Sequence, residues 1–224
     1  MGGLDDGIFE WINGWSDSLN PFLKFFSVAL NVIWVKILLL AIVAGMLIRG
    51  GRSRTSALLA LVAVGIANTL TNIFKEALPM ARPFQVFAYI KVEDNGLISG
   101  TVGPHAMLAH TMEKVHLAGQ HIVALLRVGD TSSPGTASAH SANMAAVAFV
   151  MTYSLGWKWG STWIAVAVLT GISRVYTGAH FPSQVVLGWL CGVFAAWVVI
   201  KTWEAWQRSR KGVESNQDEE PELA

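Results

Sequence analysis

Residues 159 to 203 read WGSTWIAVAVLTGISRVYTGAHFPSQVVLGWLCGVFAAWVVIKTW. Two apolar runs, 159–177 and 183–203, flank a short turn holding Gly178 and Pro182. Each run is close to the roughly 20 residues that a helix needs to cross about 30 Å of hydrocarbon. Proline is tolerated in a first helical turn, so Pro182 fits the start of the second run. The stretch therefore predicts a helical hairpin in a membrane, with Arg174 and His180 at its tip. Charged and titratable side chains at such depth are costly and mark function.

Composition extends this reading to the whole chain. Of 224 residues, 53% are apolar and only 14% charged, with ten tryptophans, which suits a bilayer rather than water. A net charge of +1 gives no support to nucleic-acid binding. The lone cysteine, Cys191, lies in an apolar run and can form no intrachain disulfide. No cleavable signal peptide is visible at the acidic N-terminus. Three further segments, 25–48, 56–78 and 138–155, fit the spanning template. The expected fold is an all-α integral membrane bundle of about five transmembrane helices. Lys36 favours a membrane-embedded start for the first of them near Val32, from where its ammonium can snorkel to the surface. Residues 4–30 alternate aromatics with acidic residues and read as an interfacial amphipathic helix.

Residues 1–204 are read as one membrane domain with an external loop at 79–136, and 205–224 as a disordered cytoplasmic tail. Lysine and arginine cluster in RGGRSR after the first span, at Lys158 and in the tail, so these lie in the cytoplasm. The N-terminus and the long loop then lie outside. That loop exceeds a simple connection, and residues 105–127 are helix-compatible. They carry His105, His110, His116 and His121, whose spacings of 5, 6 and 5 do not match the i,i+4 pairing of metal ligands on one helix.

Three stretches on that external face gather cations and histidines. In KEALPMARP, Lys75 ends a stripe of Gly65, Asn68, Asn72 and Lys75 expected to face the bundle interior. Pro79 and Pro83 stop the helix and leave Arg82 just beyond it. In ASAH, Ser138 can cap the third span, so an anion would meet its hydroxyl and the N–H groups of the helix start, that of Ala139 included. In SRVYTGAHFPSQ, Arg174 offers a planar fork for two phosphoryl oxygens and His180 a nucleophilic imidazole.

The order Lys-x6-Arg-Pro, Ser-x-His, Ser-Arg-x5-His resembles the signature of the type-2 phosphatidic acid phosphatase family, membrane relatives of the vanadium haloperoxidases and glucose-6-phosphatase. The resemblance covers about residues 56 to 200. It implies a hydrolase in which His180 attacks phosphorus, His140 protonates the leaving oxygen, and Lys75, Arg82, Arg174 and Ser138 hold the phosphoryl group, with no metal or other cofactor. It also implies lipid phosphate substrates, a bacterial inner (cytoplasmic) membrane and an active site on its periplasmic or extracellular side.

This chain departs from the family pattern twice. Alanines 137 and 139 flank Ser138 where the family usually has proline and glycine, which leaves the hydroxyl, the imidazole and the backbone N–H in place. Gln184 stands where an aspartate commonly follows the nucleophilic histidine. Its Oε1 can accept an Nδ1–H bond from His180 but supplies no charge. Branches resembling polyprenyl-diphosphate phosphatases use glutamine here, so an active enzyme is expected. A diphosphate on a long isoprenoid suits a cationic pocket that opens sideways into lipid, which makes an undecaprenyl-type diphosphate the favoured substrate. Phosphatidylglycerophosphate, phosphatidate and lipid A 1-phosphate are alternatives, as are a lipid phosphotransferase and an inactive lipid-phosphate-binding scaffold.

Overall fold

The computed structural model describes residues 3–93, 96–101, 123–128 and 133–218. The N-terminal amphipathic stretch is two helices rather than one: α1 (Leu4–Asn13) and α2 (Asn20–Val28). A 3₁₀ turn at Asp17–Leu19 joins them, with Ser16 capping it and Pro21 in the first turn of α2. A second 3₁₀ turn at Ala29–Asn31 leads into α3 (Ile33–Arg49), which starts beside Val32 as Lys36 requires. Gly50, at φ +76°, then lets the chain reverse into α4 (Gly51–Ala77). Leu78 ends α4, Pro79 follows, and Pro83 opens the short α5 (Pro83–Val86).

The all-α class holds for the bundle, and beyond α5 the external region adds one small sheet that the sequence reading did not anticipate. Strands β1 (Ala88–Glu93), β2 (Gly96–Thr101) and β3 (Val123–Leu126) form a sheet in the order β2-β1-β3, antiparallel then parallel. Residues 123–126, expected within a loop helix over 105–127, are strand instead. The run VALL is apolar and short enough for either period, and pairing with β1 decides it. The four loop histidines lie outside the described residues.

The bundle is completed by α6 (Ala139–Leu155), α7 (Trp157–Tyr176) and α8 (Pro182–Asp218). Its centre is α6, packed against α4, α7 and α8. Small residues make that possible: Ala142, Ala146 and Ala195 are buried in the same core as Ala63, Ala67 and Val150. Gly192 of α8 lies so close to the Ala142 carbonyl that no side chain would fit there. Without a hydrophobic drive between helices in lipid, such close backbone approach is what holds them.

The stripe expected to face inward on α4 does so only in part. Asn68 and Lys75 are partly buried, but Gly65 and Asn72 are exposed, and the fully buried face is Ala60, Ala63, Ala67 and Thr71. Close packing selects the small apolar row over the polar one. The tail also differs from expectation, because α8 continues through residues 205–218 rather than turning irregular. Extending a formed helix avoids the cost of nucleation, and the Lys201–Glu204 ion pair lies just before this extension.

Among the described residues two helices, α4 and the Pro182–Lys211 part of α8, are long and apolar enough to cross a membrane. The α2–α3 region makes a third if it is one span bent by 65°. The chain is an integral membrane protein. Of the five expected spans, α6 has only 17 residues and α7 carries Lys158 and Arg174 near its ends, so length and composition alone do not establish those two.

Candidate active site

The three motifs meet at one end of the bundle, where α4 ends and α6 and α8 begin. Their meeting point is Gln184, which is 1% exposed. Its Oε1 lies 3.2 Å from His180 Nδ1 and accepts the Phe181 N–H at 3.1 Å. Its Nε2 donates to the Ala81 carbonyl at 2.8 Å, and its own carbonyl accepts the Ser138 N–H at 3.0 Å. One residue of the third motif thus touches the segment before Arg82 and the cap of α6. The N–H of Phe181 and the carbonyl of Ala81 allow only one orientation of the amide.

His180 is held at both ring nitrogens. Nδ1 faces two oxygens that can only accept, Gln184 Oε1 and the Gly135 carbonyl at 3.1 Å. Nε2 faces Arg82 Nη1, which can only donate, at 3.2 Å. The partners assign the tautomer with the proton on Nδ1 and the lone pair on Nε2. Burial, reinforced by the charges of Arg174 and Arg82, holds the imidazole well below its ordinary 6.5, so it stays neutral. The backbone N–H groups of Ala179 and His180 both donate to the Arg174 carbonyl, and Gly178, at φ +75°, packs onto the Leu125 carbonyl where a Cβ would clash.

Arg82 is 4% exposed and fixed mainly by backbone oxygens. Nε donates to Ser133 O at 2.8 Å, Nη1 to Ala179 O at 3.0 Å and Nη2 to Ser133 Oγ at 3.0 Å. Arg174 Nη1 donates to Ser27 Oγ at 2.7 Å and Ser27 O at 3.1 Å, while its buried Nε has no partner among the described residues. Lys75, partly buried, makes no hydrogen bond or ion pair among the described residues. The three cations lie within electrostatic range of one another and of His140. Among the described residues no carboxylate pairs with any of them. Like charges gathered under partial burial repel, and an anion between them would relieve this.

Ser138 caps α6, its Oγ accepting from Ser141 Oγ at 2.9 Å and from Ser141 N at 3.4 Å. The Ser138 hydroxyl proton and the first-turn N–H groups of Ala139 and His140 are left for a ligand. His140 is partly exposed beside them. Among the described residues no three His, Cys, Asp or Glu side chains cluster as metal ligands would.

Sequence reasoning missed three participants. Gly135 supplies the second acceptor for Nδ1, and a Cβ there would lie 2.7 Å from Arg82 Cγ and 2.9 Å from Gln184 Oε1. Ser133 holds Arg82, and Ser27 holds Arg174 from α2. Backbone carbonyls and a distant serine carry no motif. Only the glycine after Pro134 gives a local signal.

Fold and site together define a membrane helix bundle with a cationic cluster at one end. The chain belongs to the PAP2 superfamily, whose family model matches residues 56–208. The bacitracin transport permease protein BcrC of Bacillus licheniformis is 27% identical over 119 residues, 53% of this chain. That match takes in 54% of the relative, so the chain spans about half the length of the curated protein it matches. Two crystal structures share the fold. LpxE of Aquifex aeolicus aligns with TM-score 0.62 and 19% identity, covering 89% of this chain and 96% of that one. A transmembrane PAP2-type phosphatidylglycerolphosphate phosphatase from Bacillus subtilis aligns with TM-score 0.59 and 22% identity, covering 90% and 85%.

Proposed function

We propose that this chain hydrolyses a lipid phosphate or diphosphate through a phosphohistidine at His180, with an undecaprenyl-type diphosphate as the favoured substrate. The observation that carries the reading is the His180 pairing: two acceptors keep the proton on Nδ1 and leave the Nε2 lone pair beside Arg82. Nε2 attacks phosphorus as the ester or anhydride oxygen departs with a proton from His140. The P–N bond forms and the P–O bond breaks. Water then attacks phosphorus, His140 takes its proton, and the P–N bond breaks to release inorganic phosphate and free His180.

Lys75, Arg82 and Arg174 take the non-bridging oxygens, together with Ser138 and the Ala139 N–H. Phosphoryl transfer depends chiefly on such positioning and charge stabilisation. Three cations without an acidic partner suit a diphosphate, which brings more negative charge than a monoester. Glutamine at 184 supports the same choice through the resemblance already drawn. All five long helices, α6 and α7 included, are read as crossing the membrane. The site then lies on the periplasmic or extracellular face, opposite the basic turns at 49–54 and Lys158.

The test is phosphate release by purified protein in detergent, without added metal, from undecaprenyl diphosphate, phosphatidylglycerophosphate, phosphatidate and lipid A 1-phosphate. Undecaprenyl diphosphate is expected to show the highest kcat/KM, and acid-labile phosphate should be trapped on the wild type but not on His180→Ala. An active His180→Ala protein would refute the mechanism. Label passing to an acceptor lipid instead of water would make the protein a transferase.

A further inference from the structure

A second cationic cavity lies at the other end of the bundle, where the α3–α4 turn meets the α6–α7 turn. Its volume is about 670 Å³. The 17 residues of α6 separate it from Ser138 by about 25 Å at 1.5 Å per residue. Arg49, Arg52 and Ser53 line its rim. Neither guanidinium makes a hydrogen bond or ion pair among the described residues, whereas that of neighbouring Arg54 is occupied by the Leu47 carbonyl at 3.0 Å. No acidic side chain lines the cavity.

Two further features give it donors. The N-termini of α4 and α7 both open here behind Gly50 and Gly156, and neither has a side-chain cap. Their first-turn N–H groups add positive potential. Ser154 lines the cavity, and its Oγ is buried with no hydrogen-bond partner among the described residues. Thr152, on the same helix, instead bonds back to the Ala148 carbonyl at 2.7 Å. Below the rim the surface turns apolar, with Trp159 and Trp163 as walls and Met46 and Met151 as floor.

A cationic rim above an aromatic and aliphatic floor, at the end of membrane helices, is complementary to a lipid and not to a soluble anion. A free phosphate would meet only the rim. Basic pockets between membrane helices hold anionic headgroups in this way. We propose that this cavity binds an anionic phospholipid, its headgroup phosphate between Arg49 and Arg52 and its chains along Ile42 and Met46. The site is separate from the catalytic centre and ties the α3–α4 turn to the α6–α7 turn.

Native mass spectrometry of the delipidated protein, titrated with phosphatidylglycerol or phosphatidylcholine, tests this. One phosphatidylglycerol per chain is expected, with at least tenfold weaker uptake of phosphatidylcholine. Arg49→Gln/Arg52→Gln should lower phosphatidylglycerol occupancy at least tenfold, and the corresponding double lysine variant should retain it. Each single glutamine variant should give a partial loss, which covers failure of the double variant to fold. Arg174→Gln should leave binding unchanged, as should Arg208→Gln/Arg210→Gln in the basic tail. Retention by the double glutamine variant, equal uptake of both lipids, loss on Arg174→Gln, or displacement by millimolar inorganic phosphate would each overturn the proposal.

Discussion

Gln184 and Gly135 solve one problem between them. As the proposed nucleophile, the His180 imidazole needs an acceptor on Nδ1, and two neutral oxygens supply it here in place of a carboxylate. Gln184→Ala removes that acceptor and leaves the Phe181 N–H and the Ala81 carbonyl without their partner. The expected effect is a fall in kcat of about ten- to a hundredfold, since each lost bond of this kind is worth about 1 to 3 kcal/mol. Gly135→Ala should act on the same quantity by pushing against Arg82 and Gln184. Steady-state kinetics check both, and unchanged kcat in Gly135→Ala would remove the glycine from the mechanism. His180 also ties activity and stability to pH. Its folded pKa lies well below the 6.5 of the unfolded chain. Between the two values the unfolded chain binds the extra proton, so His180 imposes no penalty above about pH 6.5 and a growing one below it. Thermal unfolding should therefore show a lower melting temperature as pH falls from 6.5, with the slope reduced in His180→Ala.

At the scale of elements, the N-terminal helices are part of the site's frame rather than a float on the membrane. Phe9 is fully buried against Phe87 and Phe181, with ring centroids 6.1 and 5.3 Å away. Asp5 accepts from the backbone and side chain of Ser183 at 2.8 and 2.7 Å, placing a carboxylate on the start of α8. Asn13 joins α1 to β3 and α7, accepting from Leu125 N and donating to Leu125 O and Tyr176 O. Arg127 adds bonds to Asn13 O and Tyr176 O and pairs with Asp17 at 2.9 Å. Asn13→Ala strands several buried backbone groups and should cost about 2 kcal/mol or more of stability. Unfolding in detergent measures this, and a loss below about 0.5 kcal/mol would show that α1 is not structurally coupled to the catalytic turn. Residues 4–30 revealed their amphipathic pattern in sequence. Their partner could not be read there, because an interfacial helix and a docked helix present the same alternation.

The whole molecule is an up-and-down bundle whose alternate ends are chemically distinct. Lys75, His140, Arg174 and His180 share one end, and Arg49, Arg52 and Lys158 the other. With Cys191 replaced by alanine, a membrane-impermeant thiol reagent applied to intact cells should label Met80→Cys and spare Lys158→Cys until the cells are opened. The reverse pattern would invert the proposed topology.

The amino-acid sequence alone determined the apolar segments, the helix stop before Pro79, the cap at Ser138 and the three motifs in order. These are local properties, legible because period, capping and charge act within a few residues. Only the tertiary structure decided which face of α4 is buried, that 123–126 pairs as a strand, and that Gly135 O and Gln184 Oε1 share the proton of His180. Each of those depends on which backbone comes close to which, and residues 45 apart meet only when the helices have packed.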